Sequence, residues 1–282
     1  MRRDFKGWTI FITGASAGLG REFARQWARE AGRLVLVARR TDRLEQVKED
    51  LLSINSTLQI DLLTYDISVP EEMVRLMNWC DENQVHADLL LNNAGLGDYG
   101  VYELTDWTKL DQMLMVNIVA LSALTRYFLP EMIRRKKGAI ANVSSIASFL
   151  PVPTFAVYAA TKAYVTSFSE ALSVELEGTG VTVTAICPGP IPTEFGSVAE
   201  RTGKTKPLES PPWFQITAPQ AVRESIGAIR SGKPRFVPGW IVRCVAMMMS
   251  GSPALLIRWI GKRFGKFPDK AQSQRDAVRV AE

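Results

Sequence analysis

The chain has almost no histidine and little cysteine. His86 is the single histidine, and Cys80, Cys187 and Cys244 are widely spaced with no CxxC pair. Zinc sites draw on clustered Cys and His, so no bound metal is expected. Three separated thiols read as reduced cysteines of a cytoplasmic protein, not as a disulfide framework. Acidic residues are missing between Trp240 and Pro268, where Arg243, Arg258, Lys262, Arg263 and Lys266 stand. Those five cations equal the whole formal excess of +5, which leaves the rest of the chain near neutral. A basic footprint for nucleic acid is therefore not expected. Long apolar runs are also missing: Cys244–Ile257 is uncharged for 14 residues but is broken by Ser250-Gly251-Ser252-Pro253. That falls short of the ~20 residues that span a bilayer. At the other end, Met1-Arg2-Arg3-Asp4-Phe5-Lys6 leads straight into an apolar strand, so no cleaved signal segment is expected.

What is present is enough for a sizeable core: 282 residues, 46% hydrophobic and 22% charged. Apolar runs alternate with helical patterns. Strands are expected at Trp8–Thr13, Leu34–Ala38, a run ending at Asp66, Asp88–Asn92, Ala139–Val143 and Val181–Cys187. Helices are expected from Gly18 to about Ala31, near Arg43–Leu52, after Pro70, over Leu110–Leu129 and over Ala156–Leu176. Strands continuous in Val, Ile and Leu between helices indicate an α/β fold, a doubly wound parallel sheet covered on both faces. No repeat or linker divides residues 5–240, which read as one domain, and residues 241–282 read as a C-terminal extension. Pro188–Ala218 is the one long segment expected to be irregular, and it follows the sixth strand, where such sheets bind ligands.

Between the first strand and helix runs Thr13-Gly14-Ala15-Ser16-Ala17-Gly18-Leu19-Gly20. Gly14, Gly18 and Gly20 let the backbone turn sharply and approach a pyrophosphate, with a helix N-terminus facing its charge. The spacing GxxxGxG differs from the commoner GxGxxG, and such a turn can also be a plain strand-to-helix connection. Its place after a buried N-terminal strand favours dinucleotide binding. At the end of the second strand, Val37-Ala38-Arg39-Arg40 lacks the acidic residue that would hold the 2′-hydroxyl of NAD. Arg39 and Arg40 can hold a 2′-phosphate instead, so NADP is preferred over NAD; the alternative is two solvated arginines opening a helix.

Tyr158 and Lys162 stand one helical turn apart, and Ser145 lies thirteen residues before the tyrosine. Reducing a carbonyl requires an acid beside its oxygen. A free phenol titrates near ~10, and a lysine on the same helix face would lower that value. A serine hydroxyl from the adjoining strand end can hold the oxygen. An amphipathic helix with an exposed lysine, and Ser144-Ser145 as a strand-end turn, would give the same residues; their order behind the glycine turn argues against this.

Together these motifs resemble the short-chain dehydrogenase/reductase family, in its single-domain branch of about 250 residues. The resemblance covers roughly residues 5–240 and rests on Thr13–Gly20, Asp66, Asn92-Asn93-Ala94-Gly95, Asn117, Asn142-Val143-Ser144-Ser145, Tyr158-x-x-x-Lys162 and Pro188-Gly189. It implies a Rossmann fold and a tetrad of Asn117, Ser145, Tyr158 and Lys162. In that tetrad Tyr158 would be the acid/base and Ser145 would polarise the carbonyl. Lys162 would tune the phenol and bond the nicotinamide ribose, and Asn117 would hold a water leading to solvent. Ser16, Ala17 and Leu19 would lie with the glycines at the pyrophosphate, Asp66 and Ile67 at the adenine, and Asn93, Ala94 and Gly95 on the adenosine side. Pro188, Gly189 and Thr193 would border the nicotinamide carboxamide, while Asn92 and Asn142 look structural. Ala17 departs from one NADP-preferring subgroup, which carries a basic residue there. A homodimer or homotetramer is expected.

The loops expected to wall the substrate pocket are apolar: Ile146–Pro153, and a second containing Ile191, Phe195, Trp213 and Phe214. They suit a hydrophobic carbonyl or alcohol. From Ala254, a helical wheel puts Leu256, Ile260, Phe264 and Phe267 on one face and Arg258, Lys262 and Lys266 on another, with Trp259 between them. Such a helix over residues 254–267 suits an anionic membrane surface at the inner face of a membrane. It also suits packing on the domain, covering the cleft or joining a dimer, and Gly261 and Gly265 argue against a strong free helix. Three functions stay open: an NADPH-dependent carbonyl reductase or alcohol dehydrogenase, a membrane-surface reductase of lipids, sterols or retinoids, and a non-catalytic NADP-binding sensor or scaffold.

Overall fold

A computed structural model describes residues 3–199 and 210–251. Strand β1 (Thr9–Thr13) sends Ile10 and Ile12 to one side of the sheet and Phe11 to the other, all fully buried. A strand apolar on both faces needs a layer on each side. On the Ile10 side those layers are α1 (Gly18–Trp27), α2 (Thr41–Ile54) and α8 (Ala218–Arg230), which contribute Phe23, Trp27, Leu44 and Val222. On the Phe11 side lie α3 (Pro70–Glu82), α5 (Leu121–Arg134) and α6 (Ala156–Glu175), with Leu76, Phe128 and Leu172 in contact with the sheet.

The remaining strands are β2 (Arg33–Ala38), β3 (Gln59–Thr64), β4 (Leu89–Asn92), β5 (Gly138–Val143), β6 (Val181–Ile186) and β7 (Arg235–Phe236). All pair in parallel in the order β3-β2-β1-β4-β5-β6-β7. The winding direction reverses between β1 and β4, and a crevice opens there beyond the carboxyl ends of the strands. The fold is the doubly wound, Rossmann-like single domain expected from the sequence.

Several details differ from expectation. The third strand stops at Thr64, so Asp66 stands beyond it in the crevice. The seventh strand is only two residues long, secured where Ala185 and Cys187 donate N–H groups to the Pro234 and Phe236 carbonyls, 2.8 Å each. The central helix runs longer than Leu110–Leu129. It starts as α4 (Trp107–Leu114), capped by the Asp106 carboxylate, passes through a π-helical segment at Met115–Ala120 and continues as α5. By length and apolarity these 28 residues could cross a membrane. Val116, Ala120, Leu124, Phe128 and Met132 are instead buried against the sheet, with the Phe11 and Phe128 rings 4.9 Å apart.

Helix α7 (Glu194–Ala199) occupies part of the segment expected to be irregular, and α9 (Trp240–Gly251) packs Val242 and Ala246 on Ala185, Cys187 and Val237. The start of the expected 241–282 extension is therefore docked on the domain. The amphipathic stretch 254–267 lies outside the described residues.

Candidate active site

The glycine turn is built by close packing. A Cβ on Gly14 would stand 2.8 Å from Ala94 Cα, and one on Gly20 would stand 2.3 Å from the Gly14 carbonyl. Gly14 and Gly18 have φ of +65° and +53°, in the left-handed region where other residues are strained. The turn is tied to β4 by Thr13, whose Oγ1 accepts from the Asn93 and Ala94 N–H groups at 3.1 Å. Asn93 Nδ2 in turn donates to the Thr13 and Gly14 carbonyls at 2.9 and 3.1 Å. Bare backbone thus faces the crevice, and Ala17, at the N-cap of α1, offers no side chain to the first helical N–H groups. These are the features a pyrophosphate needs.

A cleft of about 1040 Å³ runs from this turn to the middle of the molecule. Its wall includes Gly14, Ser16, Ala17, Gly18 and Leu19 from the turn, Arg39 and Arg40 after β2, and Asp66 and Ile67 after β3. It continues with Asn93, Ala94 and Gly95 after β4, Ser145, Tyr158 and Lys162, and finally Pro188, Gly189 and Thr193 after β6. Of the expected site residues, Gly20 and Asn117 do not line it. Gly20 supports the turn from behind. Asn117, 1% exposed, sits in the π segment, accepting from Leu96 N–H and donating to the Leu96 carbonyl, both at 2.9 Å, and to Thr161 Oγ1 at 3.0 Å. Its amide is fully occupied in fixing the chain after β4.

The two serines diverge. Ser144 Oγ is buried, 2.8 Å from the Lys162 carbonyl and 2.7 Å from Thr166 Oγ1. Ser145 opens a 3₁₀ turn at Ile146–Phe149, accepting from Ala147 N–H at 3.1 Å, and its hydroxyl draws the pKa of the Tyr158 phenol down. Asn92 and Asn142 are structural: Asn92 Nδ2 donates to Asn142 Oδ1, and Asn142 Nδ2 donates to Ser169 Oγ, each at 2.9 Å.

Tyr158 and Lys162 share the buried face of α6. Burial pushes the phenol up to about 12, against a downward pull from the Ser145 hydroxyl. Burial also pushes the Lys162 amine down to about 8, with Cys187 opposing. The lowering by the lysine neighbour expected from the sequence is not among the causes of the phenol's shift in this structure. Lys162 Nζ donates to the Val143 carbonyl at 2.8 Å and stands 5.7 Å from the Tyr158 ring centre. Gly95 leaves room for this, since a Cβ there would lie 3.3 Å from Lys162 Nζ.

The tyrosine is walled by rings: Phe155 lies at 4.3 Å and Phe195 at 5.4 Å between centres, with Tyr99 behind Phe155. Ile146, Ala147, Leu150, Val152, Ile191 and Phe195 line the cleft as expected. Trp213 and Phe214 do not: Trp213 projects into solvent at 65% exposure, and Phe214 packs with the α9 cluster. Gly189 meets the same helix, since a Cβ there would lie 2.8 Å from Val242.

Sequence reasoning missed Glu194. It carries no motif of its own, but it follows Thr193 directly, and its carboxylate accepts from both Arg40 Nη1 and Nη2 at 3.1 Å.

A family model described as short chain dehydrogenase matches residues 8–203. The chain belongs to the short-chain dehydrogenase/reductase family. The similarity extends to a very-long-chain 3-oxoacyl-CoA reductase of Bos taurus, 28% identical over 267 residues that cover 90% of this chain and 82% of the relative. A short chain dehydrogenase of Pseudocercospora fijiensis is 33% identical over 199 residues, covering 69% of this chain and 63% of the relative. Among solved structures, a Sphingobium yanoikuyae short-chain dehydrogenase in complex with NADPH superimposes with a TM-score of 0.76 at 25% identity, over 89% of this chain and 95% of that one. A Burkholderia phymatum family member in complex with NAD gives 0.75 at 22% identity, over 87% and 93%.

Proposed function

We propose that this short-chain dehydrogenase/reductase is an NADPH-preferring reductase of hydrophobic ketones or aldehydes, able to run in reverse as an alcohol dehydrogenase. The observation that carries this reading is the single cleft in which Ser145, Tyr158 and Lys162 are continuous with the glycine turn. Bound NADPH would supply the hydride. The Gly14–Gly20 turn would hold its pyrophosphate, and Arg39 and Arg40 would hold its 2′-phosphate.

Ser145 Oγ, in the same cleft as the phenol, would hold the carbonyl oxygen beside Tyr158. A phenol held up near 12 keeps its proton at neutral pH, so Tyr158 is poised to give that proton to the developing alkoxide. The Lys162 ammonium would then stabilise the phenolate left behind and draw a proton in from solvent. With its amide occupied by Leu96 and Thr161, Asn117 would serve that relay by fixing the chain after β4. The rings of Phe155 and Phe195 favour an apolar substrate and exclude water around the transfer.

Tyr158→Phe keeps the ring packing and removes only the acid. Turnover with NADPH should drop by about 10³-fold, within the usual range for losing a positioned acid, while NADPH binding measured by fluorescence stays within about twofold. Unchanged turnover would remove Tyr158 from the chemistry.

A second reading, delivery of the same enzyme to a membrane surface, is favoured by α9. Trp240, Cys244 and Met247 are exposed at i, i+4 and i+7 along one face of that helix, and Met249 reaches the cleft. The cations at Arg258, Lys262, Arg263 and Lys266 follow in sequence.

A further inference from the structure

We infer that Glu194 is a cofactor-specificity residue that opposes the NADP preference created by Arg39 and Arg40. This inference rests on the NADP reading above. The Arg40 guanidinium stands over the mouth of the cofactor cleft, with Nη2 3.4 Å from Ser16 Oγ of the glycine turn. Both of its terminal nitrogens are directed at one carboxylate oxygen of Glu194, at 3.1 Å. Glu194 is the first residue of α7 and directly follows the Pro188–Thr193 segment, so the pair ties the far wall of the cleft to the end of β2. Thr193 touches the turn as well, since a Cβ on Gly18 would lie 3.7 Å from its Cβ.

A 2′-phosphate would need the same guanidinium fork. To take it, the phosphate has to displace the carboxylate and then tolerate a negative charge nearby. The 2′-hydroxyl of NAD makes no such demand. Arg43 Nη2, 4.0 Å from the other carboxylate oxygen, offers the displaced Glu194 a second partner, so the exchange is hindered and not blocked. Glu194 and Arg40 are each nearly half exposed (48% and 45%), which limits the size of the effect.

The test is calorimetric titration of 2′,5′-ADP and 5′-AMP into the natural chain and Glu194→Gln at low ionic strength. The glutamine should tighten 2′,5′-ADP by roughly two- to fivefold and leave 5′-AMP nearly unchanged, and the gain should vanish in an Arg40→Ala background. Equal tightening of both nucleotides, or a gain that persists without Arg40, overturns the inference. If the natural chain already prefers 2′,5′-ADP and Glu194→Gln prefers it to the same degree, the inference falls and the NADP reading stands. If neither protein distinguishes the two nucleotides, the NADP reading fails and takes the inference with it.

Discussion

Tyr158 and Lys162 are held in surroundings that penalise charge on either group, and the penalty acts in opposite directions on an acid and a base. The phenol is pushed up to about 12 and the amine down to about 8. For the lysine this has a thermodynamic signature. Its folded value lies below the unfolded 10.5, so the cost of burying a cation is fully present below about pH 8 and is relieved as pH rises toward 10.5. Over that window the unfolded chain holds a proton that the native chain has released, so stability rises with pH. Urea unfolding of the natural chain and Lys162→Met should therefore show the natural chain gaining relative to the variant between about pH 7 and about pH 10. A natural chain that gains nothing on the variant over that window, or loses ground to it, would show that the amine is not desolvated as described.

Residue by residue, Ser145 could be told from Ser144 by its spacing to Tyr158, and the Ser144 hydroxyl is taken up by the Lys162 carbonyl and Thr166. Asn117 was visible as a polar residue in an apolar helix. That its amide would be consumed by Leu96 and Thr161 was not, because those partners come from elements 21 and 44 residues away. The Glu194–Arg40 pair spans 154 residues and left no local signal at all.

At the scale of elements, β1 to β6 and their helices were legible because each is a long apolar run or a full amphipathic period. β7 is two residues of strand between Pro234 and Pro238, too short to carry a period, and exists only because β6 presents free N–H groups to it. The π segment at Met115–Ala120 reads as ordinary helix in the sequence, since a single shift of hydrogen-bond register leaves the apolar spacing almost unchanged.

Helix α9 is the element on which the membrane reading turns. One face, with Val242 and Ala246, is spent on Ala185, Cys187, Val237 and Gly189, while Trp240 (71% exposed) and Met247 (61%) point outward. The natural chain should float with anionic phosphatidylserine vesicles at low salt. Removing residues 252–282 should abolish flotation, and Trp240→Asp with Met247→Asp should weaken it. A natural chain that stays in the dense fraction would contradict membrane delivery and leave the soluble reductase in place.

On the scale of the whole molecule, sheet order explains why residues so far apart in sequence meet. The glycine turn follows β1, the two arginines follow β2, Asp66 follows β3, Asn93 follows β4, Ser145 follows β5 and Pro188 follows β6, so six strand ends deliver the cleft at one edge of a single sheet. This convergence was readable in advance because parallel strands with right-handed crossovers place every carboxyl end on the same side. The identity of the substrate was not readable to the same degree. It depends on side-chain directions in the loops after β5 and β6, where Phe195 turns toward Tyr158 and Trp213 turns away.

The most direct measurement is a crystal structure of the protein grown with NADP⁺. The Tyr158 hydroxyl should lie within hydrogen-bonding reach of the oxygen of a carbonyl whose carbon is placed over the nicotinamide C4, with Lys162 Nζ moved from the Val143 carbonyl to the nicotinamide ribose. A dinucleotide bound in the cleft with that hydroxyl directed away from the nicotinamide ring would contradict the proposed chemistry.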